Sequence, residues 1–185
     1  MESRRVKLTK ILIKDAMLNL LSKKTINKIS IKELCDLADI NRSTFYSYYE
    51  STYYLLNEIE NELLDNIPYK HELFDSRAKD ELIDIFTAYF SYIKENSYAF
   101  KVLLIDSDNI TFRRKLFSSI IDKRYEEHYE KQDIKSKYKF IYNSNGIISM
   151  IIQWLQDNFP ITTEEMAKIA ILFTVECRKQ YNLFN

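Results

Sequence analysis

The stretch Ser30–Tyr49, SIKELCDLADINRSTFYSYY, decides how the rest of the chain is read. It opens on Ser-x-x-Glu (Ser30, Glu33), a capping box in which the serine hydroxyl takes an amide proton three residues on and the glutamate reaches back. Ile31, Leu34, Leu37 and Ala38 follow at helical spacing, which predicts a short helix over 31–38. Asp39-Ile40-Asn41 interrupts the pattern, and a second short helix is predicted from about Arg42 to Tyr48. Two short helices joined by a turn of about three residues make a helix-turn-helix.

The second helix and its leading edge, NRSTFYSYY (Asn41–Tyr49), contain no acid. Packing needs only Phe45 and one or two tyrosines inside, which leaves Asn41, Arg42, Ser43, Thr44 and Ser47 on or near the exposed N-terminal end. Such a helix enters the major groove of duplex DNA and reads bases with its N-terminal residues. Small hydroxyl residues permit close approach. Arg42 and Asn41 can donate to base edges or phosphates, and tyrosine hydroxyls such as those of Tyr46 and Tyr48 can anchor phosphate oxygens. A carboxylate there would be repelled by the phosphates. The plainer reading, a surface helix with a tyrosine-rich underside, leaves the acid-free stretch and the paired short helices unexplained.

The surrounding composition favours an all-α fold. Gly occurs once and Pro twice in 185 residues. So few turn formers argue against a sandwich or barrel of short strands. Nine helices and no strand are expected: about 6–21, 31–38, 42–48, 52–66, 80–95, 97–106, 109–130, 137–158 and 162–181. In the first, Leu8, Ile11, Leu12, Ala16, Leu20 and Leu21 form the expected inner stripe. Thr162-x-x-Glu165 is a second capping box. The best boundary lies near residue 50, giving a helix-turn-helix domain over 1–50 and a helical bundle over 51–185.

Formal net charge is zero, but its distribution is uneven. Residues 1–50 hold ten Lys and Arg against six acids, and residues 51–185 hold seventeen against twenty-one. A basic head on an acidic body suits a partner that responds to local potential. The basic opening MESRRVKLTK is followed by no apolar run of secretory type, and no apolar stretch is long enough to span a bilayer. A cytoplasmic protein with no membrane partner is expected. Cys35 and Cys177 stand far apart with no histidine near either, which fits buried or idle thiols rather than a metal or redox motif.

Catalysis finds no footing. His71 and His128 are the only histidines, and in Glu126-Glu127-His128 with Glu130 the sequence neighbours point apart while Glu127 and Glu130, three residues apart, share a helix face. There is no Gly-rich phosphate loop and no nucleophile with an evident base. The chain is therefore read as non-enzymatic, with no cofactor and no metal.

The segment ISIKELCDLADINRSTFYSYYESTYYLL (29–56) resembles the N-terminal domain of the TetR/AcrR family of transcriptional regulators. Ser30 stands at the family's capping hydroxyl and Ala38 at the alanine of its turn. Thr44-Phe45-Tyr46 matches its Thr-apolar-Tyr, Tyr48-Tyr49 its aromatic pair, and Leu55-Leu56 the leucines of its fourth helix. Ile40 and Asn41 replace the usual Val and Ser. Two departures matter: Asp39 occupies the turn position usually given to Gly, and Thr52 stands where a phosphate-contacting Lys is common. The later patch GIISMIIQWLQDNFPITTEEMAKI (146–169) resembles the C-terminal region of a branch that includes a dihydroxyacetone-kinase operon regulator.

The resemblance implies a sequence-specific DNA-binding regulator acting as a homodimer on a near-palindromic duplex site and modulated by a small-molecule effector. The DNA-contacting set becomes Ser30, Asn41, Arg42, Ser43, Thr44, Tyr46, Ser47, Tyr48 and Thr52. It also implies a dimer seam on the last two helices, with Ile148, Ile152, Met166, Ile169 and Phe173, although ordinary core packing accounts for the same stripes. An effector cavity would draw on Phe86, Tyr89, Phe90, Tyr92, Phe100, Tyr142 and Trp154, each of which core packing also explains. The rival reading is a module of the same fold that has lost DNA binding and acts through a protein partner.

Overall fold

Three serines start three helices in the same way, each offering its hydroxyl oxygen to an amide that the helix leaves unpaired. Ser3 Oγ accepts from Val6 N–H at 3.3 Å, Ser30 Oγ from Glu33 N–H at 3.2 Å, and Ser51 Oγ from Tyr54 N–H at 3.1 Å. The computed structural model describes residues 3–68, 79–106, 110–120 and 134–181. Among them the fold is all-helical, with nine α-helices and no strand. They are α1 (Arg4–Leu21), α2 (Ile31–Ala38), α3 (Arg42–Tyr46), α4 (Thr52–Asp65), α5 (Lys79–Glu95), α6 (Ser97–Lys101), α7 (Ile110–Ile120), α8 (Ile134–Gln156) and α9 (Thr163–Tyr181). A π-helical stretch, Val102–Asp106, continues α6 where a single α-helix was expected. The 121–130 part of the seventh helix, together with His71 and the Glu126–Glu130 group, lies outside the described residues.

Two compact units divide the chain: Met1–Asn66 with Tyr98–Phe112, and Ile67–Ser97 with Arg113–Asn185. In the first, α1 packs on α2, on α4 and on the π-helical stretch, and α2 packs on α3. Its core contains Ile13, Met17, Leu21, Leu34, Phe45, Tyr49, Leu55, Phe100, Leu103 and Phe112. Here the expectation for α1 is corrected. Leu8, Ile11 and Leu12 are exposed, and Ile13, Met17 and Leu18 join Ala16, Leu20 and Leu21 in the core. Apolar residues lie on two faces of α1, and periodicity alone does not say which face is covered. Across the α1–α4 contact, Lys14 Nζ binds Glu58 Oε1 at 3.1 Å and also Glu62. Burial acts to lower the Lys14 pKa, but hydrogen bonds to Glu62 and Glu58 outweigh it and raise the value.

In the second unit, α5 packs along α9, and α9 also meets α8. Phe159 N–H closes the end of α8 on Trp154 O at 3.0 Å, with Asn158 and Phe159 both at positive φ (57° and 64°). An aromatic residue seldom adopts this conformation. Its ring packs edge-on against Trp154 at 4.8 Å, and Trp154 Nε1 donates to Ile161 O at 3.1 Å, so packing and a hydrogen bond hold the turn. The box at Thr162 forms in full. Glu165 N–H donates to the Thr162 hydroxyl at 3.2 Å, and Thr162 N–H donates to the Glu165 carboxylate at 2.8 Å. The box at Ser30 forms by half: Lys24 takes the Glu33 carboxylate at 2.6 Å.

Candidate nucleic-acid interface

The turn between α2 and α3 sets the angle at which α3 is presented. Asp39 adopts φ 52° and ψ 49°, the left-handed conformation, and Ile40 N–H donates to Cys35 O at 3.0 Å. The position does need the backbone that glycine supplies freely, and Asp is among the few other residues whose short polar side chain can make it tolerable. Asn41 then caps α3 through its backbone, its carbonyl accepting from Thr44 N–H at 3.0 Å and Phe45 N–H at 3.1 Å. Five residues are too few for a helix to persist alone. Phe45, fully buried, anchors this one, with Tyr46 and Tyr49 at 5.7 Å between ring centroids.

Asn41, Arg42, Ser43, Tyr46 and Ser47 are exposed, as is Ser30 at the start of α2. Thr44 and Tyr48 are half-buried. A groove of about 800 Å³ runs beside α3, lined by Asn41, Thr44, Ser47 and Tyr48 on one side and by Arg5, Val6, Thr9 and Leu12 of α1 on the other. Cys35, Asp36, Asp39 and Ile40 complete it. Cys35 is buried, and burial raises the pKa of its thiol. The Ser47 hydroxyl donates to Thr44 O at 2.7 Å, which leaves its oxygen lone pairs for a ligand but commits its proton. Tyr49 is core, its hydroxyl donating to Glu58 at 3.1 Å. Thr52 is only 8% exposed, so its hydroxyl is poorly placed for a phosphate.

Sequence reading passed over several residues of this surface. Tyr53 and Tyr54 stand exposed at the start of α4. Arg5 and Thr9 share the groove with α3, and the Lys10 ammonium sits over the Tyr48 ring, 5.9 Å from its centroid. The basic run at the N-terminus was the available signal, visible as charge but without an address.

The other expected sites divide. Phe86, Tyr89, Phe90 and Trp154 are buried together, with Phe90 to Trp154 at 5.9 Å and Phe90 to Tyr89 at 5.4 Å between centroids. Phe100 belongs to the first unit, against Phe112 at 6.0 Å, and Tyr142 is 72% exposed, so neither joins that cluster. Among the described residues, three buried hydroxyls, those of Thr87, Tyr89 and Ser144, have no hydrogen-bond partner. Burial pushes the Tyr89 phenol well above its ordinary pKa. Of the expected seam, Ile148 and Met166 are core, Ile152 and Ile169 are half-buried, and Phe173 is exposed. The exposed apolar residues of α8 and α9 are instead Ile134, Tyr138, Ile141, Tyr142, Leu172 and Phe173. No group of three or more metal-ligating side chains occurs among the described residues, and no described helix is long and apolar enough to cross a membrane.

Solved structures share this fold. A TetR transcriptional regulator from Streptococcus agalactiae 2603V is 23% identical with a TM-score of 0.67, over 92% of this chain and 96% of that one. The dihydroxyacetone kinase operon activator DhaS is 19% identical with a TM-score of 0.56, over 91% and 94%. The fatty acid degradation regulator FadR from Bacillus halodurans is 11% identical with a TM-score of 0.59, over 92% and 94%. No curated protein matches by sequence. Residues 80–174 match the family model for the TetR-type transcriptional regulator C-terminal region. That match spans just over half of a chain whose other end is a helix-turn-helix, and the chain belongs to the TetR family of transcriptional regulators.

Proposed function

We propose that this regulator binds double-stranded DNA as a homodimer, inserting α3 of each subunit into the major groove of a near-palindromic operator. The observation that carries the reading is the exposed, acid-free surface of Asn41, Arg42, Ser43 and Tyr46, held at a fixed angle by the left-handed turn at Asp39 and the buried Phe45. Arg42 and Asn41 supply base-edge donors, while Ser30, Ser43, Thr44, Tyr46 and Tyr48 supply hydroxyls to the backbone. Residues 1–50 form the DNA-binding part and 51–185 the regulatory and dimerising part, in a protein of the cytoplasm that acts by binding and not by catalysis.

A helix as short as α3 covers too few bases for specificity, so two heads act together, about 34 Å or one helical turn apart. The second copy docks on the exposed stripe Ile134, Tyr138, Ile141 and Tyr142 of α8, with Leu172 and Phe173 of α9. Gly146 supports this placement. It is the chain's one glycine, it lies inside α8, and a Cβ built on it meets nothing within 4 Å. Glycine inside a helix costs about 1 kcal/mol relative to alanine. No contact among the described residues requires it, whereas close approach of a second helix would. A small effector, held among Phe86, Tyr89, Phe90 and Trp154, shifts the spacing of the heads by binding one arrangement better than the other.

The test is recovery of fragments from sheared genomic DNA of the source organism, followed by salt titration of the best one. A near-palindrome with a steep salt slope is expected, and Arg42→Ala narrows its advantage over a random duplex. Failure to retain any fragment after refolding from denaturant, which strips a bound effector, sinks the DNA reading in favour of a protein partner. Thr52, buried and uncharged, is the residue that favours this rival.

A further inference from the structure

We infer that Arg4, Arg5 and Lys7, on the N-terminal half of α1, contact operator phosphates beside the bases read by α3 and supply most of the charge neutralisation that holds the DNA. The inference rests on the DNA-binding reading above and adds the electrostatic half of the grip.

Phosphate neutralisation needs cations near α3, and α3 with the start of α4 is poor in them. Between Asn41 and Asn57 the only cation is Arg42, Glu50 opposes it, and Thr52 is buried. One arginine per head gives only a shallow salt dependence. α1 holds the missing charge. Arg4, Arg5, Lys7 and Lys10 precede any acid on that helix, whose first turn carries none.

Helical physics does not explain these residues. Unpaired amides make a helix N-terminus electropositive, so cations in the first turn work against the helix and acids would favour it. Arg4, Arg5 and Lys7 are exposed and make no ion pair among the described residues. Lys14, farther along, differs because Glu58 and Glu62 neutralise it. The uncompensated charge therefore stops short of Lys14.

Geometry places that charge beside the recognition helix. Arg5 and Thr9 share a groove with Asn41, Thr44, Ser47 and Tyr48, and Lys10 rests on the Tyr48 ring, tying α1 to the end of α3. Asp36 and Asp39 also line the groove, two carboxylates against one guanidinium. The two carboxylates repel phosphates from the groove floor, so a DNA strand meets the exposed rims of the groove on α1 and α3.

The experiment compares full-length parent, Arg4→Ala/Arg5→Ala/Lys7→Ala, Arg42→Ala and Lys14→Ala on two probes, the best-retained genomic fragment and a random-sequence duplex of equal length. Log affinity is measured against log salt. The triple variant is expected to flatten the slope by about 0.9 per lost contact on both duplexes, leaving their affinity ratio unchanged. Its thermal midpoint equals or exceeds the parent's, since cations have left the helix N-terminus. Arg42→Ala lowers the ratio, and Lys14→Ala keeps the slope. A triple variant with the parent's slope overturns the inference while leaving the DNA reading intact. A parent that binds neither duplex overturns both.

Discussion

Asp39 offers a clean test of whether backbone strain at the α2–α3 turn sets the presentation of α3. At φ 52° and ψ 49° an L-residue is held against its preferred handedness, at a cost of about 1–2 kcal/mol, less for Asp and Asn. Asp39→Val meets that cost in full, and β-branching adds to it, so a loss of at least about 1 kcal/mol is expected. Asp39→Gly removes the strain but surrenders about 0.5–1 kcal/mol through the freer unfolded chain, leaving a net gain below about 1 kcal/mol. For a chain of this size 1 kcal/mol moves the thermal midpoint by about 2–4 °C. Asp39→Asn keeps the left-handed tolerance while deleting one of the groove's two carboxylates, so its midpoint stays near the parent's and its DNA affinity rises. Circular dichroism melts and denaturant midpoints on the four proteins, run with DNA titrations, separate backbone from charge. Asp39→Val melting with the parent, or Asp39→Gly melting below Asp39→Val, would refute the reasoning.

Further outcomes follow from the second unit. On the seam proposed above, Gly146→Leu is expected to yield a helical monomer by light scattering, because a Cβ at this position meets nothing within 4 Å among the described residues and the side chain would obstruct the proposed partner helix; a variant that dimerises like the parent removes Gly146 from the seam. The Glu165 carboxyl is held below its usual range by the Thr162 amide and then by the Thr162 hydroxyl. Its contribution to stability is therefore complete above the ordinary Glu range and fades as pH falls through the lowered folded-state value; acid titration of Glu165→Gln melts is expected to lack that part of the parent's pH dependence, and an unchanged profile assigns it elsewhere. Tyr89→Phe removes a buried hydroxyl with no partner among the described residues, a burden of about 1–3 kcal/mol, and raises the effector-free melting midpoint or leaves it level; a lowered midpoint means that the hydroxyl has a partner in the folded subunit.

The local parts of the fold were legible because their causes are local. Ser30 and Glu33 announce α2, Thr162 and Glu165 announce α9, and near-absence of glycine and proline settles the all-helical class. Phe45 was readable as the anchor of α3 since no other residue there is apolar without a hydroxyl. The reciprocal half of the Ser30 box was not, because Lys24, nine residues before Glu33, takes the carboxylate. Nor was the π-helical stretch after α6. Val102, Leu103 and Leu104 are all buried, and a run apolar on every side carries no periodicity from which a change of helical pitch can be read.

The errors share a different cause. α1 carries one apolar stripe through Ile13, Met17 and Leu20 and another through Leu8, Ile11 and Leu12, and only the first meets the core. α8 repeats the problem: Ile147, Ile148, Ile151 and Trp154 are buried while Ile134, Tyr138 and Ile141 are not. Periodicity reports that a face is apolar without reporting what covers it. The expected core stripe of α1 joined Leu8, Ile11 and Leu12 to Ala16, Leu20 and Leu21, and its first half fails because nothing among the described residues covers those three side chains. Ile148 and Met166, expected in a dimer seam, are buried in the subunit itself, and a helix with two apolar stripes of similar composition does not show by period which one is covered. Gly146 distinguishes them. A glycine on a buried stripe leaves a gap in the core, whereas on an exposed stripe it opens room for something outside the chain, and the empty space around its position puts it on the second.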